Sequence, residues 1–187
     1  NNWKYQVALG TACMRPGVAD FNKAADHLGK ALENPETRQD PGTECSISFN
    51  LALALMRSER DDEALAPLET VYAKDKSNWI GAGLLGTVYV SEKQKEWEKA
   101  IPVLLHAIEA SNGAADDSVY YNLGYAYLML GMFKEAAEAF NKAAQLNPDN
   151  KQAADAFGRA QKAVEEEEAA AAAAAEAERV RLEQEAE

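Results

Sequence analysis

Residues 117–150 read DSVYYNLGYAYLMLGMFKEAAEAFNKAAQLNPDN, and this stretch decides the fold. Its apolar residues recur at i, i+3, i+4 and i+7 in two successive runs, which is the pattern of two amphipathic helices. Gly124 and Ala136 are small enough to let the two helices cross closely, and Phe140 is large enough to fill the space between them. Pro148 ends the second helix, because proline cannot continue it. The stretch therefore predicts one helix-turn-helix unit.

Weaker copies of this unit precede it in the chain. Residues 45–78 and 79–116 repeat the pattern, the second with about two extra residues between its helices, around Glu92–Glu96. Residues 3–38 repeat it again, with an extra pair near Arg15–Gly17. After the quoted stretch only the first half of a fifth copy follows. Because one helix pair cannot bury its apolar face alone, we expect neighbouring copies to stack into a solenoid.

The quoted stretch resembles the tetratricopeptide repeat. It carries the aromatic-x2-Leu-Gly-x2-Tyr start of that repeat, followed by Ala-x3-Phe-x2-Ala and a late proline, at Tyr120, Leu123, Gly124, Tyr127, Ala136, Phe140, Ala143 and Pro148. The resemblance covers about residues 1–164, and it is strongest at 117–150 and weakest at 3–38. It implies an all-α, right-handed solenoid of helix-turn-helix repeats with a long C-terminal capping helix that begins at 151.

The last part of the chain predicts a helix that outlasts the repeats. Ala, Glu and Arg dominate 165–187 and are strong helix formers, so we expect one continuous helix from about 151 to near 185, whose 165–187 part projects as a tail. Heptads are not sustained beyond Phe157 and Val164, which argues against a coiled coil. The projecting part is either a solvated helix or a docking arm for a partner. A protruding loop is expected at Pro35–Gly42.

Composition and charge exclude several classes of protein. The 187 residues carry 19 basic and 31 acidic side chains, for a net charge of −12, and −7 of this lies in residues 165–187. An overall basic surface for nucleic acid is therefore excluded. No stretch approaches the roughly 20 apolar residues of a membrane helix, so we expect a soluble protein of the cytoplasm or the periplasm. The start Asn-Asn-Trp, without Met, indicates a processed form or a fragment.

No residue pattern predicts catalysis, and we expect no enzyme, cofactor or metal site. Residues 81–86 spell GAGLLG, but a dinucleotide site needs a preceding strand, and here the glycines fall inside a helix. His27 and His106 belong to different copies, without a cluster of other ligands. Cys13 and Cys45 are expected to be free thiols, too far apart for a disulfide.

The resemblance implies a concave groove lined by the first helix of each repeat. The residues carried over to that groove as the partner-binding set are Phe49, Leu53, Arg57, Thr87, Tyr121, Tyr125, Met129 and Arg159. The charged groove positions give a net charge of +4, from Lys4, Arg15, Arg57, Arg159 and Lys162 against Asp155. A positive face on an acidic molecule favours a protein segment with apolar or aromatic anchors and some acidic residues. In the alternative interpretation, Phe49 and Tyr121 only pack between helices and the charges are scattered.

Two functions follow from these expectations. The first is a scaffold that holds a peptide or helix of a partner in the groove. The alternative is a structural subunit of a larger assembly, which contacts its neighbours through its ends and its C-terminal helix. Recruitment of chaperone tails is not expected, because the basic positions of the carboxylate clamp in that subtype are occupied in one register by Val7, Ile80 and Leu84.

Overall fold

The computed structural model describes residues 2–17 and 19–185. Within these ranges all regular structure is helical, which confirms the predicted all-α class. A short 3-10 helix, Pro35–Arg38, lies between the second and the third α-helix. The α-helices are α1 (Trp3–Cys13), α2 (Phe21–Leu32), α3 (Pro41–Arg57), α4 (Asp61–Lys74), α5 (Trp79–Tyr89), α6 (Trp97–Ala110), α7 (Asp117–Met129), α8 (Phe133–Leu146) and α9 (Lys151–Glu185).

The helices form two compact units, Asn1–Ala115 and Asp116–Glu187. In the first unit α1 packs on α2, α3 on α4 and α5 on α6, and contacts of α2 with α3 and of α4 with α5 join these pairs. In the second unit α7 packs on α8, and α8 packs on α9. Each of these pairs is made of two helices that are adjacent in sequence, as the repeated pattern predicts.

A large side chain of the second helix closes each pair by lying over a small residue of the first helix. A methyl group added at Gly124 would stand 2.8 Å from Cδ1 of Phe140, so only glycine fits there. Ala52 and Leu68, in α3 and α4, hold the same places in the repeat and are fully buried. The three glycine contacts are Gly10 with Leu28, Gly86 with Leu104 and Gly124 with Phe140.

The turn within each pair is closed by one backbone hydrogen bond, donated by the residue just before the second helix. The bond spans five residues in the α3/α4 and α7/α8 pairs, and seven in the α1/α2 and α5/α6 pairs. The four bonds, all 2.9 Å long, run from the amides of Asp20, Arg60, Glu96 and Met132 to the carbonyls of Cys13, Leu55, Tyr89 and Tyr127. The two longer spans hold the extra residues that the sequence indicates in the first and third copies.

The prediction of a protruding loop at Pro35–Gly42 is wrong. Residues Pro35–Arg38 form the 3-10 helix, and the side chain of Thr37 is fully buried. Asp40 is the N-cap of α3 and accepts a hydrogen bond from the Thr43 amide at 2.8 Å, while Pro41 is the first residue of the helix. Proline is favoured at that position because its fixed φ suits a helix and the first amide needs no partner.

The helix α9 spans 35 residues, about 52 Å at 1.5 Å per residue. Ala153, Ala156 and Ala160 bury one face of its first half. From Glu165 to Glu185 every residue is exposed, so this part, which we call the arm, projects from the unit. At the base of the arm, Lys134 of α8 forms an exposed ion pair with Glu168 at 2.9 Å. Neither α9 nor any other helix in the described ranges combines the length and apolar character needed to cross a bilayer.

We predict that Gly124→Ala destabilises the second unit, because the added methyl group would collide with the Phe140 ring. Overpacking of this kind costs about 1–3 kcal/mol. The matched control is Gly158→Ala in α9, where a methyl group would have no atom within 4 Å. Alanine there is expected to stabilise the helix by about 0.5–1 kcal/mol. Urea denaturation followed by circular dichroism measures both changes, and equal effects would contradict the proposed role of the contact.

We predict that Glu59→Gly stabilises the first unit. Glu59 precedes Arg60, whose amide closes the turn, and it has φ 60°. Gly131 holds the equivalent place in the α7/α8 turn and has φ 73°. A side chain in this left-handed conformation costs about 1–2 kcal/mol, while glycine costs about 0.5–1 kcal/mol through its freedom in the unfolded chain.

The expected net gain for Glu59→Gly is therefore about 0.5–1 kcal/mol in the free energy of unfolding. Glu33→Gly is the control, because Glu33 is exposed and has an ordinary φ of −66° at the end of α2. That variant should lose stability. If both variants lose stability, the left-handed conformation at Glu59 carries no cost.

Candidate functional site

A cleft of about 760 Å³ lies between α7 and α9 in the second unit. Its lining residues are Tyr121, Gln152, Ala154, Asp155, Gly158, Arg159 and Lys162. The position of α9 follows from its burial pattern, because the alanines at 153, 156 and 160 are buried and the polar side is left outward. We call this feature the α7/α9 cleft.

Polar side chains fix the start of α9 against the start of α7. The Asp117 carboxylate accepts hydrogen bonds from the side-chain amides of Asn147 at 3.1 Å and Asn150 at 2.8 Å. Asn150 also caps α9, since its side-chain oxygen accepts a bond from the Ala153 amide at 3.2 Å. One asparagine therefore both begins α9 and ties it to α7, and this sets the width of the cleft. No sequence pattern indicates this bridge.

The wall of the α7/α9 cleft is aromatic and its rim is charged. Tyr121 is half-buried, and its ring tilts at 58° against Phe140 with 5.4 Å between centroids. Arg159 and Lys162 are exposed on the rim beside Asp155. Lys162 pairs with Glu166 at 3.5 Å, and both side chains are so exposed that the pair contributes little. Arg159 has no hydrogen bond or ion pair with any residue that the structure describes, so its guanidinium is available to donate hydrogen bonds to a bound partner.

The structure brings together two of the four groove residues predicted in this unit. Tyr121 and Arg159 line the same cleft. Tyr125 does not line it, and instead packs half-buried against the buried cluster around Phe140. Met129, at the end of α7, is 49% exposed and also lies outside the lining. Tyr121, Tyr125 and Met129 nevertheless share one stripe of α7, because they are spaced four residues apart.

The four groove residues predicted in the first unit are dispersed. Phe49 lines a cleft of about 430 Å³ with the end of α4 and the residues before α5. Leu53 is half-buried and Arg57 is exposed, further along the same face of α3. The Thr87 hydroxyl donates to the Gly83 carbonyl at 3.0 Å, within α5. None of these three lines the cleft that contains Phe49.

The titratable groups of the first unit indicate structural roles. Burial is the main cause that raises the pKa of Cys45, which lies in the lining of the Phe49 cleft, and a protonated thiol is a poor nucleophile. Burial and a 2.8 Å hydrogen bond to Glu69 raise the pKa of Tyr89 to about 12. Cys13 and Cys45 are free. In the described ranges no group of His, Cys, Asp and Glu has the arrangement of a metal site.

A second cleft of the second unit was not predicted. It measures about 460 Å³ and lies between α8 and α9, with Phe157 and Val164 on the α9 side. Lys134 lines it, and the hydrogen bond to Glu168 raises the pKa of this lysine. The only sequence signal for this cleft is that the fifth copy ends after its first helix, so that no second helix covers α9.

Comparisons with known proteins agree with this architecture. Residues 118–150 match the family model of the tetratricopeptide repeat, which confirms the predicted resemblance for that stretch. No curated protein sequence gives a significant match.

Solved structures of MamA share the fold. The crystal structure of MamA protein is 21% identical with a TM-score of 0.69, and the match covers 86% of this chain and 81% of that one. MamA AMB-1, in a P212121 crystal form, is 23% identical with a TM-score of 0.70 over 90% of this chain and 85% of its own. MamA 41-end from Desulfovibrio magneticus RS-1 is 22% identical with a TM-score of 0.60 over 88% and 96%. At such identities the likeness shows a common fold.

We predict that Asn150→Ala weakens the second unit, because it removes both the cap of α9 and one hydrogen bond to Asp117. Loss of a cap costs about 0.5–2 kcal/mol. Asp149→Ala is the matched control, since the neighbouring Asp149 is exposed. Urea denaturation should show a lower free energy of unfolding for Asn150→Ala only. Equal values for both variants would show that the bridge does not hold α9.

Proposed function

We propose that this protein is an interaction scaffold that binds a peptide or helical segment of a partner protein through the exposed faces of its first helices. The observation that carries the proposal is the α7/α9 cleft, where a half-buried tyrosine adjoins an arginine that is free of partners among the described residues. The tetratricopeptide repeat at 118–150 and the paired-helix fold support a protein-interaction role in general.

The chemistry of the α7/α9 cleft favours a partner with an apolar anchor and an acidic side chain. Tyr121 offers an aromatic surface at little entropic cost, and tyrosine and arginine are enriched among residues that dominate binding energy. The planar guanidinium of Arg159 can grip a carboxylate through two parallel hydrogen bonds. Asp155 precedes Arg159 by one helical turn on the same helix and limits where a second acidic group is tolerated.

The electrostatic setting supports the same partner. The chain carries −12 overall, whereas the lining of the α7/α9 cleft has two cations and one anion. A local positive field on an acidic molecule guides an acidic segment to this face and repels it elsewhere. In the first unit, exposed Arg57 lies on one face of α3 with Leu53 and Phe49, and we propose that it repeats the same pairing of a cation with apolar surface.

The α7/α9 cleft suits binding better than catalysis. Six of its seven lining residues are exposed, so it is an open surface groove and not an enclosed pocket. None of its lining residues is a serine, cysteine or histidine, so it lacks the hydroxyl or thiol nucleophile with an adjacent imidazole base that hydrolytic sites use. We therefore propose a non-enzymatic role. Because Val7, Ile80 and Leu84 occupy positions that are basic in the carboxylate clamp of chaperone-binding repeats, we also propose partners other than chaperone tails.

A second candidate function is a structural subunit that assembles through the arm. It is favoured by the exposure of two large apolar side chains there, Val180 at 39% and Leu182 at 54%. Truncation after Glu165 would abolish a complex built on the arm and leave one built on the cleft.

We predict that peptides selected from a displayed random library on the full chain carry an aromatic or aliphatic anchor near an acidic residue. Arg159→Glu should weaken the selected peptides by about tenfold or more, which corresponds to about 1.4 kcal/mol. Fluorescence anisotropy of labelled peptides measures the affinity.

The matched control is Lys142→Glu, because Lys142 is an exposed lysine of α8 in the same unit, outside the cleft. It imposes a charge reversal and should change the affinity by less than about twofold. The proposal is wrong if the two variants weaken the peptides equally, since only the overall charge would then matter.

A further inference from the structure

We propose that the cleft between α8 and α9 receives an amphipathic helix of a partner protein, which takes the place that the second helix has in the other repeats. We call this feature the α8/α9 cleft. The incoming helix carries a small, a large and a small apolar residue on one face and a basic residue at its start. This inference goes beyond the proposed function, because it concerns the side of α9 with Phe157 and Gln161 and not the rim with Arg159.

The α8/α9 cleft has a counterpart in the first unit. A cleft of about 380 Å³ lies there between α2 and α3, and the start of α4 closes it. When Phe140 is aligned with Leu28 and Gly158 with Ala52, the lining residues of the two clefts hold the same places in the repeat. Three such pairs are Asp26 and Glu138, Leu51 and Phe157, and Leu55 and Gln161. The main difference is that a second helix covers only the cleft of the first unit.

The burial of equivalent residues shows the effect of that helix. Leu55 is 3% exposed and Ala52 is fully buried, because α4 packs on α3. At the same places in α9, Gln161 and Gly158 are exposed. A methyl group at Gly158 would have no atom within 4 Å, whereas one at Gly124 would collide with the second helix of its pair. The side of α9 that a second helix would cover is therefore open.

No described segment of the chain covers this side of α9. In the first unit α3 ends at Arg57, soon after Ala52, and α4 then packs on it. In the second unit α9 continues to Glu185, which lies about 40 Å beyond Gly158 at 1.5 Å per residue. The arm therefore leads away from the α8/α9 cleft, and we assign the occupant to a partner protein.

The second helices of this chain show which apolar face fits such a surface. In each of them a small residue is followed by a large residue four places on and by a small or branched residue three places further, and all are fully buried. These spacings put the three side chains on one face of the helix. The three are Ala64, Leu68 and Val71 in α4, and Ala136, Phe140 and Ala143 in α8. We expect the partner helix to place its leucine or phenylalanine over Gly158.

The charge of the α8/α9 cleft favours a basic residue at the start of the partner helix. In the first unit Arg60, just before α4, lies 3.8 Å from the carboxylate of Asp26 on α2. Glu138 holds the place of Asp26 on α8 and has no ion pair or hydrogen bond with any described residue. The lining has one cation and two anions, and the cation, Lys134, is paired with Glu168. A basic residue at the place of Arg60 would therefore face an unpaired carboxylate.

The test uses the full chain and a fluorescently labelled peptide of residues 132–146, the α8 sequence, with Met132→Arg. This peptide has the required apolar face and a cation four residues before Ala136, as Arg60 precedes Ala64. We expect fluorescence anisotropy to show binding. The control peptide, which also carries Phe140→Asp, should bind about tenfold more weakly or worse, because it lacks the apolar anchor.

A substitution in the chain tests the place of binding. Gly158→Leu fills the open place and should weaken the peptide by about tenfold or more. The control Ala169→Leu adds the same side chain to the exposed arm and should change the affinity by less than about twofold. Both variants should keep their helical circular dichroism, since leucine is a strong helix former.

A charge exchange tests the orientation of the peptide. Glu138→Lys in the chain should weaken the Met132→Arg peptide by about threefold and favour a Met132→Glu peptide instead, which is the size expected for an exposed pair. The control Glu135→Lys, at an exposed glutamate of α8 outside the lining, should leave the preference for the Met132→Arg peptide unchanged.

Several outcomes would overturn the inference. They are absence of binding, equal binding of the Phe140→Asp peptide, and an unchanged preference in Glu138→Lys. Binding that Gly158→Leu does not weaken would also do so, since the peptide would then displace α8 from α7. Self-association of the full chain that Glu138→Lys abolishes would give the cleft to a second copy. Peptides that bind through Arg159 should bind Glu138→Lys normally, so failure here leaves the proposed function intact.

Discussion

The contact between a small residue of the first helix and a large side chain of the second helix is the constraint on which the rest of the structure depends. In the α7/α8 pair, only a glycine at position 124 leaves room for the Phe140 ring, since a Cβ atom there would stand 2.8 Å from Cδ1 of Phe140. Phe140 in turn supports the ring of Tyr121 at 5.4 Å. The packing contact that closes the pair therefore also orients the aromatic wall of the α7/α9 cleft, so the fold and the candidate site share one residue.

The same contact explains why α9 differs from the earlier helices. Gly158 occupies the place of Gly124 in the fifth copy, but no second helix follows to cover it. Its surroundings are open, whereas the space beside Gly10, Gly86 and Gly124 is filled. An unfilled position of this kind is a structural cost in a stacked repeat, because apolar surface stays in water. A cleft arises where the repeat pattern stops, and its character follows from the residues that happen to flank it.

Much of the fold could be predicted from the sequence because its signals are local and periodic. The helix pairs follow from the 3.6-residue pattern, and the two longer turns follow from counting residues between matching positions such as Gly86 and Leu104. The segment at 35–42 could not be read in this way, since its composition is that of a loop. The burial of Thr37 depends on packing against α2 and α3, which composition does not encode, although Asp40-Pro41 is a recognisable helix start.

The candidate site was predictable only in part. Tyr121 and Arg159 could be named because the resemblance assigns them to the concave face, and the structure places both in one cleft. Tyr125 and Met129 were assigned by the same rule but lie outside that lining. The bridge from Asp117 to Asn150 was missed because a hydrogen bond across 33 residues between two polar side chains leaves no periodic trace.

The charge distribution connects the two ends of α9. Residues 151–164 of α9 carry three basic side chains and one acidic one, whereas residues 165–185 carry eight acidic side chains and two basic ones. The macrodipole favours anions at the N-terminus, where the cleft lies, and cations at the C-terminus, where the arm is acidic. Glu183 and Glu185 therefore oppose the macrodipole at the end of the arm, and Arg179 and Arg181, one turn earlier, offset this through ion pairs with them at 3.0 and 3.7 Å.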